Sequence, residues 1–331
     1  MALQGYGVLI GRPVERVREG AAQTPHYQLR VAGPGGEQYR VAVNVLSQQA
    51  PSELLYVAAD DFRHPLTGIV GPLAPGWHPL ASAPGSGALD FIRGNLFDQA
   101  ALRALPPEAQ GPDNDLADLL DHYVQRAIAD PGALVYAFGQ RWGPEPGVAD
   151  QVFGFDPGNG VHDIHFNQGN AGRYAADDGV WQDGGLLLRF PAEDRWVAVF
   201  LAFQSQAWHT DDATGHSIDG PGPRATPAVR VLAALVNPAG PPPEDETVLL
   251  LNASPDAVDL TGWALADQAK ARCPLPGATL AAGETLVVHL QGRARLGNKG
   301  GQITLLDAQG LKVHGVSYTA QDAPEGWTVT F

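Results

Sequence analysis

From Gly5 to about Leu80 apolar and polar residues alternate in short runs: Gly7-Val-Leu-Ile, His26-Tyr-Gln-Leu-Arg-Val, Tyr39-Arg-Val-Ala-Val-Asn-Val and Glu53-Leu-Leu-Tyr-Val. A period of two is the mark of strands with one face buried, and Gly33-Pro-Gly-Gly between the second and third runs predicts a hairpin turn. This opening region is expected to form a small antiparallel sheet or a partly closed barrel. The period changes after Pro112-Asp-Asn-Asp, a helix start. Leu116, Leu119, Leu120, Tyr123, Val124, Ala127 and Ile128 then recur at helical spacing up to Asp130-Pro-Gly. Strands are predicted at 133–138, 152–155, 163–167, 185–190 and 196–203, with Gly158-Asn-Gly160 as a turn, so the middle of the chain reads as mixed α/β or α+β.

Past residue 216 the periodicity stops. Ser217-Ile-Asp-Gly-Pro-Gly-Pro-Arg-Ala-Thr-Pro227 is rich in Gly and Pro and predicts a linker. Short strands broken by turns follow: Val229-Arg-Val-Leu-Ala-Ala-Leu-Val, Thr247-Val-Leu-Leu-Leu-Asn, Gly262-Trp-Ala-Leu, Glu284-Thr-Leu-Val-Val-His-Leu, Gln302-Ile-Thr-Leu-Leu-Asp and 313–318. That spacing predicts a β-sandwich. Trp263 is expected to fill its core beside Leu260 and Leu265, Gly297 to Gly301 to make a turn that side chains would block, and His289 and His314 to lie at the surface or an edge. The expected architecture is thus α+β and β-rich. A domain at 1–216, with a β-rich part at 1–80 and a mixed part at 81–216, leads through a linker at 217–227 to a sandwich at 228–331.

Composition narrows the chemistry. The chain has 331 residues, 36 acidic and 21 basic, for a net charge of −15. From residue 226 onward there are 10 acidic and 7 basic side chains, leaving 26 and 14, so about −12 falls on the first part. Such a chain repels phosphate unless a local patch or a bridging cation intervenes. Lysine occurs only at Lys270, Lys299 and Lys312, and cysteine only at Cys273. Before residue 270 there is no lysine for a phosphate loop or a Schiff base and no thiol nucleophile, so no nucleotide cofactor is expected. No intrachain disulfide and no thiolate zinc cluster can form. No apolar stretch is long enough to span a bilayer and no signal peptide opens the chain, so a cytoplasmic location without membrane attachment is expected.

If 163–167 is a strand, Asp163, His165 and Asn167 share one face, about 7 Å apart in steps of two, while Ile164 and Phe166 share the other. His162 sits where the turn enters that strand. Arg141 and Glu145 fall in a loop stiffened by Pro144 and Pro146, Asp183 in the Trp181-Gln-Asp-Gly-Gly turn, and Gln204, Gln206 and His209 after the strand ending at Phe203. These polar groups stand at the ends of neighbouring strands, where sites are commonly built. His162, Asp163, His165 and Asp183 suit zinc, manganese or magnesium, and such an ion would generate a hydroxide near neutral pH. Alternatively His165, oriented by Asp163 or Asp183, serves as a metal-free general base or as a nucleophile toward phosphorus. A plain solvent-facing polar strand accounts for the same alternation.

Two resemblances add to this. Asn237-Pro-Ala-Gly, Glu246-Thr-Val-Leu-Leu-Leu-Asn, Val258-Asp-Leu-Thr-Gly-Trp, Leu280-Ala-Ala-Gly-Glu, Leu296-Gly-Asn-Lys-Gly-Gly and Leu305-Leu-Asp-Ala-Gln-Gly, in this order, resemble the lamin-tail domain. That resemblance implies an immunoglobulin-like sandwich acting as a scaffold or protein-interaction module, of a kind that often accompanies hydrolases. Tyr6-Gly-Val-Leu-Ile-Gly, Val43-Asn-Val, Leu89-Asp-Phe-Ile-Arg-Gly-Asn-Leu, Tyr136-Ala-Phe-Gly-Gln-Arg-Trp-Gly-Pro-Glu, Gly160-Val-His-Asp-Ile-His-Phe-Asn-Gln-Gly-Asn and Trp181-Gln-Asp-Gly-Gly resemble the YukJ-like family over 1 to about 220. This second resemblance brings no mechanism. The leading expectation is a hydrolase acting on a phosphodiester or nucleic acid. His165, His162, Asp183, Asn167, Glu145 and Arg141 would be its catalytic groups, and the lamin-tail domain would place it on a protein partner. The alternatives are a non-catalytic binding protein and a structural assembly protein.

Overall fold

The computed structural model describes residues 5–19, 26–45, 54–81, 87–91, 93–104, 115–162, 184–203, 227–240 and 244–331. They fall into two compact units. The first is drawn from Met1–Phe62, Val70–Asp90 and Ala101–Gln206, the second from Arg63–Ile69, Phe91–Ala100 and Ala207–Phe331.

In the first unit the strands are β1 (Tyr6–Arg18), β2 (His26–Ala32), β3 (Gln38–Asn44), β4 (Leu54–Ala59), β5 (Gly76–Pro79), β6 (Arg103–Ala104), β7 (Leu134–Glu145), β8 (Gly158–His162), β9 (Gly185–Phe190) and β10 (Arg195–Phe203). They form one sheet in the order β5-β1-β2-β3-β8-β7-β9-β10-β4-β6. Strands from both sides of residue 80 thus share it. β1 is 13 residues long and is used twice: its first half pairs with β5 and β7, its second with β2. The additional β1–β7 pairing closes the ring β1-β2-β3-β8-β7 into a five-stranded barrel. All its ladders are antiparallel except β3–β8.

The hairpin predicted at Gly33 joins β2 to β3. Gly33 N–H donates to Glu37 O at 2.8 Å, and Gly36 has φ of 90°, which glycine adopts at no steric cost. Leu9, Leu29, Val31, Val41, Val43, Ala137 and Val161 are buried in the core this barrel shares with the helix α2 (Asp115–Ala129). The helix contributes Leu116, Leu120, Val124 and Ala127 to it, the positions its period selects. Its outer side is held by Asp121 to Arg16 (2.7 Å) and Asp118 to Arg18 (2.8 Å), and the chain leaves it at Asp130, whose Oδ1 accepts Gly132 N–H at 2.8 Å.

Three expectations in this unit are corrected. Residues 152–155 are not a strand: Asp150 Oδ1 accepts the N–H groups of Val152 (3.0 Å) and Phe153 (2.8 Å) and folds the segment into a turn. Gly158-Asn-Gly160 is not a turn but the start of β8. A Cβ on Gly160 would stand 1.9 Å from Arg40 O, so that glycine marks a close approach of two strands. Arg141 and Glu145 are not in a loop, because β7 runs on through both to pair with Val161 and Gly158.

The second unit contains a sandwich of β11 (Val229–Leu235), β12 (Thr247–Asn252), β13 (Val258–Asp259), β14 (Ala264–Ala266), β15 (Arg272–Pro274), β16 (Thr279–Leu280), β17 (Thr285–His289), β18 (Gly300–Leu306), β19 (Lys312–Thr319) and β20 (Val329–Thr330). Two four-stranded sheets, β17-β12-β11-β20 and β15-β14-β18-β19, enclose Val231, Leu250, Leu260, Leu265, Cys273, Ile303 and Leu305. This is the immunoglobulin-like arrangement expected. Gly300 N–H donates to Gly297 O at 3.1 Å, closing the predicted glycine turn.

Trp263 is only half-buried and packs against this core from a turn before β14, rather than filling it. His289 is exposed and lies 2.8 Å from Asp245, as expected of an edge residue. His314 is a correction: it is buried, and its Nδ1 accepts Val231 N–H at 3.1 Å, tying β19 of one sheet to β11 of the other. The short helix α1 (Pro65–Val70) belongs up to Ile69 to this unit, as does 91–100. Among the described residues no helix is long and apolar enough to cross a membrane.

Candidate functional site

Two arginines stand on barrel strands separated only by β8, with opposite fates. Arg40, on β3, donates through Nε to Asp150 at 2.7 Å and through a terminal nitrogen to Gln28 at 3.1 Å, and lies 5.0 Å over the Trp142 ring. Gln28 passes a further hydrogen bond to Glu19 at 2.7 Å, so the whole chain of polar groups is satisfied. Arg141, on β7, has no such answer. Its guanidinium lies 5.7 Å over the Trp77 ring, its Nε is buried without a hydrogen-bond partner, and it forms no ion pair among the described residues.

The register explains why Arg141 stands at the rim. β7 carries Val135 and Ala137 into the shared core, and alternation puts Gly139 and Arg141 on that same side as the strand leaves the barrel. Trp77, opposite Leu9, and Tyr39 both pack against the core from its margin. Burial and the carboxylate of Glu37 push the Tyr39 hydroxyl above its ordinary pKa, and the charge of Arg141 partly offsets them. Asn159, on β8, is buried, donates to Gln38 O at 2.8 Å and leaves its Oδ1 without a partner. A half-buried cation against an aromatic ring, short of a counter-charge among the described residues, is the arrangement that receives an anion.

Of the candidates named from sequence, Arg141 stands at this rim. Glu145 is exposed, lies opposite Gly158 and forms no ion pair with Arg141 among the described residues. The backbone of His162 ends β8 opposite Gln140, next to the Arg141–Val161 pair. Asp163, His165, Asn167, Asp183, Gln204, Gln206 and His209 lie outside the described residues. Trp77, Tyr39 and Asn159 had not been singled out. An aromatic in a strand register beside an arginine was the only available signal, and it needs the register to be read. Among the described residues no three His, Cys, Asp or Glu side chains are grouped to hold a metal ion.

The second unit offers a cleft of about 320 Å³ with Leu232, Leu251 and Phe331 among its walls. Its charged groups, Arg230 and Asp98, are already paired with each other.

Two family profiles match successive stretches of the chain. The profile of a lamin tail domain matches 224–320. Over 214 residues the chain is 45% identical to the uncharacterized protein YukJ of Bacillus subtilis (strain 168), an alignment covering 64% of this chain and 93% of that relative. No solved structure matches. A family described as uncharacterized conserved protein (DUF2278) matches residues 1–215, about two thirds of the molecule, and the chain belongs to that family.

Proposed function

We propose that the rim of the barrel binds a phosphate-ester anion through Arg141 and that the chain hydrolyses a phosphodiester there. The observation that carries this reading is the unanswered guanidinium over Trp77. Its planar fork matches two phosphate oxygens, and partial burial strengthens the attraction relative to water. In a chain of net charge −15 such a local cation gives phosphate a place to bind. β8 ends one position past the Arg141–Val161 pair, and the sequence bearing Asp163, His165 and Asn167 follows directly after it. His165, oriented by Asp163 or Asp183, would supply the base or nucleophile, or the four groups His162, Asp163, His165 and Asp183 would hold zinc, manganese or magnesium.

An activated phosphodiester such as bis(4-nitrophenyl) phosphate tests the proposal, assayed with each of the three ions and with a chelator. Turnover by the wild type that falls about 100-fold or more in both Arg141→Gln and His165→Ala supports it. Absence of turnover under every condition overturns the hydrolytic half. A non-catalytic binding protein then remains, a reading favoured by the apolar filling of the barrel, which confines recognition to the rim. Equal retention of a phosphate ester by wild type and Arg141→Gln overturns the binding half as well.

A further inference from the structure

Asn95 and Gly315 lie 220 positions apart, and each is unusual where it stands. Asn95 has φ of 52°, in the left-handed region, and is buried to within 3%. Gly315 occupies the interior of β19, where a glycine weakens a strand unless something must come close. The two explain each other. Asn95 Nδ2 donates to Ile303 O (3.3 Å), Thr304 Oγ1 (3.1 Å) and Val316 O (3.2 Å), spanning β18 and β19 where Thr304 pairs with Gly315. A Cβ on residue 315 would fall 2.0 Å from Asn95 Oδ1. Turning the amide over would set an oxygen against two carbonyls, so the donor assignment is the only sound one.

The flanking residues act in the same sense. His64 accepts Leu66 N–H on Nδ1 at 2.9 Å, which leaves its Nε2–H to donate to Gly94 O at 2.7 Å. Phe91 stacks at 5.2 Å against Phe97, Asp98 pairs with Arg230 on β11, and Arg63 reaches Asp322 beyond β19 at 3.2 Å. The matches to the two families divide the chain between 215 and 224, yet 63–69 and 91–100 fold with the sandwich.

We infer that the segment Phe91–Ala100 is a resident peptide ligand of the sandwich, seated on β18 and β19 through the Asn95–Gly315 contact. The sandwich is therefore held by non-covalent recognition of this segment as well as by the covalent connection. An outside protein partner of the sandwich must use another surface or displace the segment.

The test uses the full chain with a specific protease site placed within 217–223. After cleavage, the two fragments are expected to co-elute on size exclusion at micromolar concentration. Asn95→Gly keeps the left-handed backbone, removes the amide and leaves the sandwich sequence intact. It should weaken the association at least tenfold without changing the melting of the sandwich fragment. Gly315→Ala should weaken it as much in the wild type and add less than twofold in the Asn95→Gly background, because the obstructed amide is gone. Separation of the wild-type fragments on cleavage, or additive effects of the two substitutions, would overturn the inference.

Discussion

Asp150 and Arg40 meet at 2.7 Å with the Asp150 side chain wholly shielded from solvent, and the same carboxylate folds the turn that follows β7. One group thus fastens β3 to the connection between β7 and β8 and sets the register of the barrel's parallel pair. Replacing Asp150 with Ala leaves Arg40 largely buried without its counter-charge and frees two turn N–H groups. The expected loss is about 3 to 5 kcal/mol by urea denaturation, and Asp150→Asn should retain part of it through its side-chain oxygen. A loss below about 1 kcal/mol for Asp150→Ala would show that the pair is not structural.

Two buried histidines give the second unit a defined acid response. Burial lowers the pKa of His64 to about 4, against the hydrogen bond to Gly94 O. Burial, with the charge of Arg230 next, lowers that of His314 to about 4. Both folded values lie below the unfolded value near 6.5, so the unfolded chain takes up more protons as pH falls and stability declines. The contribution is complete above pH about 6.5, is lost progressively down to about 4, and is on the order of 3 kcal/mol per histidine. His314→Gln can still accept Val231 N–H but cannot titrate, so it should flatten the decline in denaturation measured between pH 7 and 4.5. An unchanged slope in that variant would mean that His314 titrates normally in the folded protein.

At Gly160 any side chain collides with the Arg40 carbonyl, since a Cβ would lie 1.9 Å from it. Backbone cannot yield as a flexible side-chain tip can, so Gly160→Ala is expected to cost about 3 kcal/mol or more. The readout is thermal melting, with Gly68→Ala as the control, since a Cβ on Gly68 meets nothing within 4 Å. Equal melting of the two variants would place β8 elsewhere.

The same glycine shows where sequence reading stops. Local periodicity revealed β9, whose run Gly185-Leu-Leu-Leu-Arg-Phe is buried nearly throughout, and α2, whose apolar stripe is unbroken. The longer sandwich strands were legible for the same reason. Closure of the barrel was not, because β7 and β8 lie about ninety residues or more beyond β3 and nothing local records their pairing. Glycine reads as a turn unless the neighbouring strand is known, as Gly160 shows. Asp150 was invisible because its partners, Arg40 and two backbone N–H groups, are assembled by the fold. His314 read as a surface group because a one-dimensional pattern cannot show that Val231 needs an acceptor. For the site, residue chemistry selected Arg141 but misplaced it in a loop. The unanswered charge emerged only when the register put it beside Trp77.

That contrast supplies the last prediction, which separates a cation used for ligand from one used for structure. Arg40→Met strands the buried carboxylate of Asp150 and should lower stability by about 3 to 5 kcal/mol. Arg141→Met strands no carboxylate among the described residues and keeps most of the apolar stem against Trp77. Its folding free energy should stay within about 0.5 kcal/mol of the wild type, or rise, because a half-buried cation lacking a counter-charge is a cost that packing groups do not carry. Retention of a phosphate ester should be lost in this variant and preserved in one at a half-buried but paired arginine such as Arg195, which meets Asp60 and Glu193. Denaturation curves for the two methionine variants, run beside a phosphate-ester binding assay, check both halves. If Arg141→Met unfolds as readily as Arg40→Met, Arg141 is a structural cation and the rim is not a binding site. If it is stable and still retains the ester, the anion is held elsewhere.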